Sequence, residues 1–121
     1  MQASIRSTLL VLATSLLTTT AAWAHAHLKA AEPAADSVVS SPASLNLSFS
    51  EALEVKFSGI KLSNADKQDI ALGEPTLANG GKTLVVKPAQ PLPAGNYKLE
   101  WHVLSTDGHK TNGAYSFSVG K

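Results

Sequence analysis

No cysteine occurs among the 121 residues. That excludes disulfides, thiolate metal sites and thiol redox chemistry, so an exported chain of this kind draws its stability from a hydrophobic core alone. Methionine is nearly as scarce, Met1 being the single one, which removes thioether ligands for soft metal ions. Arginine appears once, at Arg6, and nine lysines against nine carboxylates follow it. With neutral histidines that balance is close to zero, and no basic stripe exists to neutralise a phosphate backbone; nucleic acid is an unsuitable partner. Beyond residue 24 no stretch is apolar enough to cross a membrane, and none shows a capped helical period.

What is present begins with an export signal. Arg6 is the only charged side chain before Lys29, and Leu9 to Val11, Leu12, Leu16 and Leu17 make an apolar stretch too short for a permanent span. Ala22-Trp23-Ala24 ends it in a small-x-small pattern. Residues 1–24 are therefore expected to be removed, leaving 97 of the 121 residues, 25–121, as one small domain exported to the periplasm. Ala24-His25-Ala26 also fits the cleavage pattern, and a cut after Ala26 would start the chain at His27. The cut after Ala24 is favoured by its distance from the apolar stretch. Either way a histidine comes first.

The remainder is short alternating runs. Leu45, Leu47 and Phe49 alternate with polar residues, and Leu84 and Val86 share a face within 83–87. Tyr97, Leu99, Trp101 and Val103 line one side of the best run, and Tyr115, Phe117 and Val119 repeat the pattern. A further run is expected to begin at Val55, Phe57 and Gly59 and to end at Ile60 to Leu62. Asn79-Gly80-Gly81, Pro91 to Gly95 and Asp107-Gly108 carry turn chemistry between the runs. This spacing predicts an all-β chain, a single antiparallel β-sandwich of immunoglobulin-like type. Tyr97 and Trp101 are expected to anchor the core. His102, on the opposite face of the same run, is expected to be solvated.

An N-terminal histidine offers an α-amine and an imidazole from one residue, so His25 can grip a metal with two nitrogens. Asp107-Gly108-His109 is the natural complement, because i and i+2 side chains of an extended segment project the same way. Two nitrogens from His25, one from His109 and an Asp107 oxygen make a sulfur-free set that suits tetragonal Cu(II). Taken alone, Asp-x-His is a weak signal and is far more often a turn with a surface histidine. His27 is expected to be exposed or to stand behind the ligands, not to ligate directly.

His25-Ala26-His27-Leu28-Lys29, Leu47-Ser48-Phe49-Ser50-Glu51, Pro93-Ala94-Gly95-Asn96-Tyr97 and the segment from Trp101 to His109 resemble the CopC/PcoC periplasmic copper-resistance proteins. The resemblance spans essentially all of residues 25–121. It implies a cupredoxin- or immunoglobulin-like Greek-key β-barrel that binds one Cu(II) per chain through a histidine brace and is not an enzyme. It places the family's copper ligands on His25, Asp107 and His109. The acidic residue after the family's Phe-Ser falls on Glu51, as an axial ligand or an acceptor behind the ligands. It also implies an inner-membrane copper transporter of the CopD type as a partner, here a separate chain. Some members carry a methionine-rich Cu(I) site; with only Met1 available, none is expected here.

Two other classes suit parts of the pattern. Copper held by an N-terminal and a second histidine also serves oxidative polysaccharide-cleaving enzymes. Against that stand the small size and a carboxylate in the position that oxygen would need. A metal-free β-sandwich interaction module is allowed by the fold alone.

Overall fold

Leu45, Leu47 and Phe49 are buried while Asn46 and Ser48 between them are half-buried, the period-two signature of a strand with one face in a core. The computed structural model describes residues 26–121; the signal segment and His25 lie outside them. Eight strands form: β1 (Leu28–Glu32), β2 (Val38–Val39), β3 (Leu45–Phe49), β4 (Gly59–Asn64), β5 (Thr76–Ala78), β6 (Thr83–Val86), β7 (Gly95–Leu104) and β8 (Lys110–Val119). They make two four-stranded sheets, ordered β1-β3-β6-β5 and β2-β8-β7-β4. The expected all-β sandwich is what the chain builds. Every pair of neighbouring strands is antiparallel except β2 with β8, where Val38 and Val39 run parallel to Ser118 and Val119.

The inner faces meet in one core. Leu45, Leu47, Leu62, Leu84 and Leu99 are fully enclosed, and the Tyr97 and Phe117 rings stack with centroids 5.7 Å apart. Tyr97 buries its ring but satisfies its hydroxyl, which donates to the Pro93 carbonyl at 2.6 Å. Burial holds the Tyr97 phenol above its ordinary range and pushes Tyr115 up to about 12. Both therefore stay neutral hydrogen-bond donors at any physiological pH.

Val55 and Phe57 depart from expectation. Val55–Phe57 is a 3₁₀ turn, not the start of a strand, and Phe57 is 61% exposed. Local hydrogen bonding wins over side-chain alternation here. The Phe57 amide donates to the Glu54 carbonyl at 3.1 Å, and the Ser58 hydroxyl donates to the same carbonyl at 2.8 Å. Ser58 Oγ also accepts the Leu104 amide at 3.1 Å, so the turn is tied to the end of β7 and the strand starts only at Gly59.

Trp101 lies half-buried at the site end of β7, edge-on to Phe49 with centroids 5.1 Å apart. Its indole covers Gly113, the residue paired with it on β8. A Cβ at position 113 would fall 2.6 Å from Cζ2 and 2.8 Å from Cε2 of that ring. Gly113→Ala should destabilise the fold by about 1–3 kcal/mol, the usual range for overpacking. A lowered urea midpoint, followed through the fluorescence of Trp101, would register it; an unchanged midpoint would mean that the ring moves aside freely.

Candidate metal centre

The β7–β8 hairpin turns in the five residues between Leu104 and Lys110, which pair with each other. The Ser105 amide donates to the His109 carbonyl at 2.9 Å, and the Gly108 amide donates to the Ser105 carbonyl at 2.9 Å. Gly108 takes φ +94°, in the region where a Cβ is penalised, which is why the turn has glycine there. The tight turn folds Asp107 and His109 together.

Asp107 Oδ1 is the focus of this loop. It accepts the Ser105 hydroxyl in a short hydrogen bond, the His109 amide at 3.2 Å, and stands 3.1 Å from His109 Nδ1. An ionised carboxylate can only accept, so His109 Nδ1 is the donor in this contact. That is the arrangement in which a carboxylate orients a metal-binding imidazole. The two side chains are 39% and 47% exposed, so the pair is within reach of solvent and of an ion. Ser105 is 1% exposed and tied to the turn twice, giving Asp107 a rigid backing.

These donors hold the Asp107 carboxyl below the ordinary aspartate value. The Ser105 hydroxyl is the largest cause and the His109 side chain the next. A depressed pKa stabilises the folded state above the ordinary carboxylate range. That contribution is lost as pH falls through the lowered folded value.

The remaining expected site residues sit as follows. His25 lies outside the described residues. His27 is exposed, and its backbone is fixed: its amide donates to Ser50 Oγ at 2.8 Å, and its carbonyl accepts the Ser50 amide at 2.9 Å. Glu51 is half-buried just beyond β3. Among the described residues no three His, Cys, Asp or Glu gather at one point, so neither Glu51 nor His27 joins the Asp107–His109 pair in such a cluster. His102 is exposed as expected, its ring beside Gly59. Sequence reasoning missed two residues that bind the arm, Ser50 and Thr111. The Thr111 hydroxyl donates to the Ala26 carbonyl at 3.1 Å. Nothing about a serine after one strand and a threonine in another distinguishes them in sequence.

In the metal-free protein, Ser105→Ala should raise the Asp107 pKa toward its ordinary value and shrink the stability that this carboxylate carries. Carboxyl titration by NMR checks it; an unmoved titration would mean that the hydroxyl does not govern Asp107.

Comparison with known proteins places this geometry. A family model described as the CopC domain matches residues 28–120. Protein YobA of Escherichia coli strain K12 is 43% identical over 118 residues, covering 96% of this chain and 94% of its own. Copper resistance protein C of Escherichia coli is 41% identical over 105 residues, covering 81% of this chain and 83% of its own. The crystal structure of PcoC from Escherichia coli, described as a methionine-rich copper resistance protein, superposes with a TM-score of 0.72 at 39% identity, over 79% of this chain and 99% of that one. CopC from Methylosinus trichosporium OB3b gives 0.71 at 30% identity, over 78% and 93%. Unlike a methionine-rich protein, this chain has Met1 alone. The family model over residues 28–120 and the relatives at 41–43% identity show that the chain belongs to the CopC domain family.

Proposed function

We propose that this protein is a periplasmic copper-binding protein of copper resistance, holding one Cu(II) rather than turning over a substrate. Residues 1–24 are removed on export and His25 becomes the first residue. Its α-amine and imidazole, His109 Nε2 and an Asp107 oxygen hold the ion. The observation that carries this reading is the Asp107–His109 pair, 3.1 Å apart, on a turn whose following strand is bonded to the chain at Ala26, one residue after His25.

The donor chemistry fits the ion. Nitrogen and carboxylate oxygen ligands suit Cu(II), which stands near the top of the divalent affinity order. With no cysteine, and with Met1 removed along with the signal, no Cu(I)-selecting site is proposed. Glu51 and His27 serve beside the metal, not as required ligands. Burial of Ala26, 1% exposed within the core cluster, supports cleavage after Ala24 over cleavage after Ala26, which would discard that side chain. Two of the named relatives, copper resistance protein C and PcoC of Escherichia coli, are copper resistance proteins, and this protein serves resistance by binding: it sequesters copper or passes it to a transporter, a separate chain of the CopD type. Among the described residues no helix is long and apolar enough to cross a membrane.

Metal binding displaces a proton from the α-amine, whose free pKa is about 7.7–8.0, so affinity should fall as pH is lowered. One extra residue placed before His25 converts the amine to an amide and should weaken Cu(II) binding on the order of 100-fold. His109→Ala should weaken it as well and change the Cu(II) EPR spectrum. Dissociation constants and spectra that match the parent in both proteins would refute the proposed ligand set.

A further inference from the structure

The segment that follows His25 is unusually well held. The Ala26 methyl is packed into the core, and its carbonyl accepts the Thr111 hydroxyl at 3.1 Å. The next residue, His27, makes two hydrogen bonds to Ser50, one from its amide to Oγ at 2.8 Å and one from the Ser50 amide to its carbonyl at 2.9 Å. Ser50 follows β3 in one sheet; Thr111 belongs to β8 in the other. Two consecutive residues of the arm thus bridge both sheets at one end of the sandwich.

The register of β1 contributes to this. Leu28 pairs with Phe49 but Ala30 pairs with Ser48, leaving Lys29 as a bulge. A bulge bends its strand and adds local twist, redirecting the chain that precedes it. Here Leu28 still pairs with Phe49 and His27 bonds to Ser50, while Ala26, one residue earlier, reaches Thr111 of β8. Thr111 is two residues after His109, so the strand that leaves the imidazole's turn also grips the arm.

Resting on the copper reading above, we propose that Thr111 and Ser50 are positioning residues for the metal centre. They hold residues 26 and 27 across the open end of the sandwich before metal arrives, so that the N-terminal chelate is delivered beside His109. A flexible arm would be competent to ligate only part of the time, and apparent affinity falls by that fraction. A pre-held arm avoids most of that loss, as pre-organisation does in any binding site. The serine and threonine hydroxyls are suited to this because they bond backbone groups of the arm.

The test uses exported, processed protein whose first residue is verified as His25. Thr111→Val removes the hydroxyl and keeps the shape; Thr111→Ser keeps the hydroxyl. In Thr111→Val we expect Cu(II) binding, measured by chelator competition, to weaken about three- to tenfold, the range for one lost hydrogen bond. In the metal-free protein, amide exchange at His27 should accelerate by a similar factor, and the Cu(II) EPR spectrum of the loaded protein should broaden. Thr111→Ser should remain within about twofold of the parent in binding and exchange, which a purely space-filling role for Thr111 would not produce. Ser50→Ala should reproduce the Thr111→Val effects from the other sheet. Parent-like binding and exchange in Thr111→Val, or equal losses in Thr111→Val and Thr111→Ser, would overturn the positioning role. If the N-terminally extended protein and His109→Ala lose copper while Thr111→Val binds as the parent does, only the clamp is wrong. If those two also bind as the parent does, the copper site itself is wrong, and the clamp's role falls with it.

Discussion

Ten consecutive residue pairs join β7 to β8, and the rest of the molecule depends on their register. A slip of one residue would turn every side chain to the other face. Tyr97, Leu99, Val103, Phe117 and Val119 would leave the core together. The same register closes the hairpin between Leu104 and Lys110, and that closure sets the five-residue turn in which Asp107 meets His109. Core and candidate metal centre are therefore consequences of one pairing. The half-buried Trp101, laid over Gly113 and edge-on to Phe49, seals the sandwich near the site.

The site divides its tasks between rigid and terminal parts of the chain. Ser105, enclosed and bonded to the turn, fixes the carboxylate; the carboxylate fixes the tautomer and direction of the imidazole. The first described residue is tied to β8 and packed in the core. Beyond Met1 the chain has only nitrogen and oxygen donors to offer a metal, and the β7–β8 turn brings two of these residues, Asp107 and His109, together. The chain belongs to the CopC domain family and resembles PcoC, but with Met1 as its single methionine it is set apart from that methionine-rich relative.

The strands legible in advance were those with large alternating side chains. β3, β6, β7 and β8 fall where Leu45 to Phe49, Leu84 to Val86, Tyr97 to Val103 and Tyr115 to Val119 indicate. β1, β2 and β5 were not named, because Ala30, Ala31, the two-residue Val38–Val39 and the three-residue Thr76–Ala78 carry too little apolar pattern. Val55 and Phe57 had the pattern without the partner strand. A hydroxyl at Ser58 and a carbonyl at Glu54 closed a turn in its place. Alternation reports which face a residue could bury, while hydrogen-bond partners decide whether it does.

In the centre, Asp107 and His109 were legible because their spacing in an extended segment puts both on one side. The sequence by itself determined the donor types, the exclusion of sulfur ligands and the strands that carry the hairpin. These follow from composition and period alone. Only the tertiary structure decided that the Asp107 carboxylate meets His109 at Nδ1, and that the Ser105 hydroxyl lowers the Asp107 pKa. It also decided that Ser50 and Thr111, far apart in the chain and in different sheets, meet the same two arm residues. Contacts of that kind arise from strand register and sheet packing, which no local pattern encodes.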